Sequence, residues 1–151
     1  MPSVRFGAVS TPIRLRGLPQ EQACEALAIG DRLDDAEVFV LMGCLHFGKS
    51  DSLRVFWRHS LESRPSIARP LQEAGYSVET VAASLLRDRF LRSAGLGRIS
   101  LSAEATIVEH RFSILADHLR LKGILPPTGL RPKDIATLRD YMRRVCDGIP
   151  L

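Results

Sequence analysis

Apolar residues recur along most of this chain at steps of three and four, the spacing that gathers them on one side of an α-helix. The clearest run is Ala105, Val108, Phe112, Leu115 and Leu119, a narrow seam that predicts a helix over 103–122 with Ser102 at its start. Val78, Val81, Ala82, Leu85 and Leu86 predict another over 78–93, capped by Ser77 and stopped by Gly95-Leu96-Gly97. Ile135, Leu138, Met142 and Val145 predict a last helix from Pro132 to about Asp147. Gly75, Gly123 and Gly148 each stand just past an apolar run, where a helix takes its left-handed residue.

The stretch 34–61 holds the longest apolar run and the only tryptophan. Asp34 with Glu37 three residues on makes a capping box with Asp in place of Ser or Thr. Val38, Leu41, Met42 and Leu45 follow at helical spacing, and Gly48 fits the residue past the helix end. Ser50 then caps a predicted helix over 50–61, with Leu53, Phe56, Trp57 and Leu61 as its stripe. Ahead of this, 19–29 reads as a short helix; behind it, 67–74 is a short helix strained by Pro70. Residues 1–18 differ, because Val4-Arg5-Phe6 and Ile13-Arg14-Leu15-Arg16 alternate apolar and basic. The expected fold is all-α: a compact single-domain bundle of about six helices over 19–151, preceded by a short β hairpin or extended arm over 1–18.

Composition adds that 151 residues suffice for one domain with a real core. The net charge of +4 is spread along the chain, so there is no polybasic tail. Only Lys49, Lys122 and Lys133 are lysines among 21 cations, a bias expected of a GC-rich bacterial genome and, alternatively, of selection for bidentate phosphate or carboxylate contacts. Cys24, Cys44 and Cys146 lack C-x-x-C spacing and read as free thiols of a reducing compartment. With no signal-peptide pattern and no apolar run of spanning length, the expected location is the cytoplasm, away from membranes.

One stretch matches a chemical motif. Gly43 to Ser50, G-C-L-H-F-G-K-S, satisfies the phosphate-loop pattern, in which Gly43, Gly48, Lys49 and Ser50 would cradle phosphates and Mg²⁺. That reading needs a strand at 38–42 and a parallel sheet beyond it. The loop interior, Cys44-Leu45-His46-Phe47, is bulky where phosphates demand close backbone approach. A helix C-cap accounts for the same residues more completely. The stretch EAGYSVETVAASLL resembles the opening of helix-turn-helix domains at Gly75-Tyr76-Ser77 and Val81-Ala82, but no register places a small residue and a turn glycine correctly.

Two basic groups are candidates for phosphate or partner contact: Arg87, Arg89, Arg92 with Arg98, and Arg139, Arg143, Arg144 with Lys133. Arg89 with Arg92, and Arg139 with Arg143, would each share a helical face. The competing reading is solvated helix faces and helix C-termini, where cations complement the dipole. The four histidines show no metal-ligand spacing, and no nucleophile–base pair stands out. No cofactor, metal or catalytic residue is assigned. The leading expectation is a non-catalytic binding or adaptor subunit of a bacterial assembly, meeting a protein partner or itself through helical faces. A nucleic-acid-binding protein using the arginines is the alternative, and a nucleotide-binding protein at Gly43–Ser50 the second.

Overall fold

The computed structural model describes residues 17–46, 55–57, 61–93 and 98–151. Within them the chain is an all-α bundle with a small antiparallel sheet. The helices are α1 (Gln20–Gly30), α2 (Asp35–His46), α3 (Pro65–Glu73), α4 (Val78–Arg87), α5 (Ala103–Leu121) and α6 (Asp134–Cys146). The strands are β1 (Val55–Trp57), β2 (Leu91–Ser93) and β3 (Arg98–Leu101), in the order β1-β3-β2.

Helix α2 is the centre of the molecule. Ala36, Val38, Phe39, Val40, Leu41, Met42 and Cys44 are all buried, so it is apolar around its whole circumference rather than along one stripe. Helices α3, α4, α5 and α6 all pack against it, and α1 lies across α5 and α6. Fully burying a side chain of this size stabilises by about 1.5–3 kcal/mol. The long apolar run of the sequence is therefore the core itself.

The helix ends follow the local signals. Asp34 Oδ1 accepts from the Glu37 N–H and Glu37 Oε1 accepts from the Asp34 N–H, closing the capping box at 2.8 and 2.9 Å. Ser77 accepts from the Thr80 N–H and Ser102 from the Ala105 N–H. Gly75, Gly123 and Gly148 take φ of +89°, +77° and +72° just past helix ends.

Three expectations are corrected. The helix predicted over 50–61 does not form at its centre, because Val55–Trp57 is a strand. Its β-branched and aromatic residues suit a pleated sheet, and Phe56 pairs with Ile99, across more than forty residues. The helix predicted over 78–93 stops at Arg87. Arg89 turns the chain at φ +66°, and Leu91–Ser93 then pairs antiparallel with β3. The third correction concerns the cysteines. Cys24 on α1 and Cys146 at the end of α6 are joined in a disulfide, with Cα atoms 4.8 Å apart. Only Cys44 is free, and it is buried in α2. The inference of a reducing compartment rested on three free thiols and loses that support. The hairpin or arm expected over 1–18 lies outside the described residues except for Gly17 and the buried Leu18.

Candidate functional site

The arginines singled out by the sequence serve different ends. Arg139 is structural. Its guanidinium donates to the carbonyls of Gly30 and Leu33 at 2.8 and 2.7 Å and to Asp35 at 2.9 Å, with Asp31 at 3.7 Å. One side chain thus holds the end of α1, the turn after it and the start of α2, and it is only 19 % exposed. Arg143 reaches Asp31 from the same helix at 4.0 Å, and Arg144 lies over the Tyr141 ring. Both remain exposed. Arg87 donates to Ser84, whose hydroxyl donates to the buried Glu37 carboxylate. Arg89 and Arg92 are exposed, one in a turn and one on β2, so the shared helical face expected of them does not exist. The Arg98 side chain lies outside the described residues.

The phosphate-loop reading finds no strand where it needs one. Val38–Met42 and Gly43 all lie within α2. Gly48, Lys49 and Ser50 lie outside the described residues. Cys44 is equally unsuited to nucleophilic work. Burial, then the Glu109 charge, push its thiol up to about 12, which removes the thiolate at ordinary pH. Glu109 itself is buried on α5, and that burial raises its carboxyl to about 7. The Ser113 hydroxyl donates to it at 3.1 Å and offsets part of the rise. No group of three or more metal-ligating side chains converges among the described residues, and no described helix is long and apolar enough to cross a membrane.

Two features remain that spacing alone did not single out. The first is a half-open cavity of about 610 Å³, bounded by α2, α3, α5 and the segment after α5. Phe39, Ile67, Pro70, Pro127 and Leu130 supply its apolar walls. Arg120 and Asp117 line it as a pair 2.9 Å apart. The stiff Pro126-Pro127 segment builds one wall, and Pro70 inside α3 another. Pro70 has no N–H, so the Ser66 carbonyl, on the same cavity wall, loses its usual helical donor. The prolines were legible as stiffness; the hollow was not, because it needs four segments placed together.

The second is an apolar corner. Leu121, the last residue of α5, is 88 % exposed, and Ile124 and Ile149 are also exposed. Lys122 donates to the Leu151 carbonyl at 2.9 Å, which ties residue 151 to the end of α5. A hollow near the α1–α2 turn, lined by Asp31, Asp34, Asp35 and Tyr76, looks acidic, but its carboxylates are engaged: Asp34 caps α2, and Asp31 and Asp35 hold Arg139. Compared with known proteins, the chain matches no family model, no curated protein and no solved structure.

Proposed function

We propose that this chain is a non-catalytic binding module of a larger bacterial assembly, which meets a protein partner through the corner where α5 ends beside residues 149–151. The observation that carries the reading is the exposure of Leu121 and Ile124 at the end of α5, with Ile149 exposed two residues before the Leu151 that Lys122 holds. A single exposed leucine is ordinary, but apolar side chains gathered at one corner mark a contact surface. Two exposed cations can meet acidic groups of a partner: Lys122, next to Leu121 in the chain, and Arg144, whose carbonyl accepts from the Ile149 N–H.

The test places a photo-crosslinking benzophenone side chain at position 121 in the expressing cell, with the same probe at the exposed Glu79 as control. A discrete adduct from position 121 and none from 79 supports the reading, and its mass identifies a partner or a second copy. No adduct at 121, or equal adducts at both positions, removes the corner as an interface. The nucleic-acid reading keeps Arg87, Arg89, Arg92, Arg143 and Arg144 but gives up Arg139, whose donors are spent inside the fold. A cytoplasmic location is part of the proposal only if the Cys24–Cys146 bond is found open in cells, since cytosolic reductants keep most thiols reduced.

A further inference from the structure

We infer that the cavity between α2, α3 and α5 binds a small monocarboxylate with an apolar body, and that Arg120 receives its carboxylate. The volume, about 610 Å³, lies within the range of small-molecule sites, roughly 300–1,000 Å³. Its composition follows the same pattern, with apolar walls from Phe39, Ile67, Pro70 and Leu130 and a small polar group set among them. The charged pair is asymmetric. Arg120 is 18 % exposed, whereas its partner Asp117 is 70 % exposed. An ordinary surface pair one helical turn apart keeps both ends in water. Here the cation is withdrawn toward apolar walls and the anion stays at the rim.

Among the described residues, Arg120 has one hydrogen-bonding partner, the Asp117 carboxylate, reached through Nη1. A guanidinium carries five donors in a planar fork, so capacity for a second carboxylate remains. A carboxylate entering the cavity would meet this fork, and its hydrocarbon would meet the walls. The Ser66 and Thr128 residues on the lining add polar contacts that an amphipathic ligand can use. A cationic ligand fits less well, because the acidic member of the pair faces water and the basic member lines the shielded side.

The experiment is calorimetric titration of the full chain with decanoate and with decanol, below their aggregation concentrations. Expected is saturable 1:1 binding, with decanoate preferred, and amide chemical-shift changes confined to residues 39–43, 66–70 and 117–130. Arg120→Gln should weaken decanoate by roughly tenfold, the loss of one charge-assisted pair, and leave decanol within about twofold. Leu130→Trp, which fills the cavity from a half-buried position, should abolish both. Thermal unfolding of each variant confirms that it is folded. No saturable binding by the parent overturns the inference. So does a decanoate affinity unchanged in Arg120→Gln, or shift changes located elsewhere. None of these results bears on the corner at Leu121, which is tested separately.

Discussion

At the scale of single residues, some of the charge among the described residues is spent on the fold. Arg139 sits where two helix ends meet, and its donors satisfy the carbonyls of Gly30 and Leu33. Arg139→Ala leaves both without that partner and frees Asp35. Hydrogen bonds to charged groups contribute about 1.5–3 kcal/mol each, and the losses are not additive. The expected cost is about 3 kcal/mol, a fall of roughly 10 °C in melting temperature for a chain of this size. Urea unfolding measures it, and a cost below about 0.5 kcal/mol, the range of ordinary surface substitutions, would show that Arg139 is a surface charge after all. Glu109 gives a pH-dependent counterpart. Its carboxyl is raised to about 7 in the folded chain and titrates near the ordinary value when unfolded. The folded state therefore holds this proton more tightly. The stabilising contribution is full below the unfolded value and is lost as pH rises through about 7. Glu109→Gln should flatten the fall in stability between those limits and raise stability at pH 8 by on the order of 3 kcal/mol. A pH profile of melting temperature identical to the parent's would refute it.

At the scale of elements, what was legible in the sequence was whatever is decided locally. The Asp34–Glu37 box, the Ser77 and Ser102 caps and the glycines at 75, 123 and 148 act within a few residues of themselves, and each does what its spacing implies. Local reading failed at 55–57 and 91–93, because a strand of three residues is defined by its partner. Phe56 has no sheet until Ile99 arrives, and Leu91 none until Leu101 does. The apolar spacing of 53, 56, 57 and 61 matches a helix, and at 56 and 57 tertiary pairing overrides it. Glu37 shows how a local signal also becomes a long-range one. One carboxylate oxygen closes the capping box and the other accepts from Ser84 on α4 at 2.7 Å. Glu37→Ala should cost about 2 kcal/mol, more than a cap alone, because the Ser84 hydroxyl loses its acceptor. Glu37→Gln keeps an acceptor for the Asp34 N–H and should cost less. Equal midpoints for the two variants in thermal unfolding would mean that these bonds do not set the stability of α2.

At the scale of the whole molecule, the tie that matters most joins residues the sequence holds far apart. Nothing near Cys24 announces Cys146, at a sequence separation of 122. Only the packing of α1 on α6 brings them together, and the Gln20 side chain donates to the Cys146 carbonyl at 2.7 Å in the same place. The cavity was hidden for the same reason, since Phe39, Ile67, Arg120 and Leu130 come from four segments. Closing so long a loop removes much freedom from the unfolded chain. The chain-entropy account gives about 5 kcal/mol, an upper value where the unfolded state stays compact. Reduction, or Cys24→Ser with Cys146→Ser, should therefore lower stability by about 3–5 kcal/mol. The helix packing and the Gln20 bond persist, so the reduced protein should remain folded at room temperature with a lower urea midpoint. Thiol labelling separates this arrangement from three free cysteines. Cys44 is buried, with its thiol raised to about 12, so iodoacetamide should leave the native oxidised protein unlabelled. Denaturant without reductant should expose one reactive thiol, and denaturant with reductant all three. Labelling of Cys24 or Cys146 in fully oxidised protein would break the pairing, and with it the claim that α1 and α6 are covalently joined.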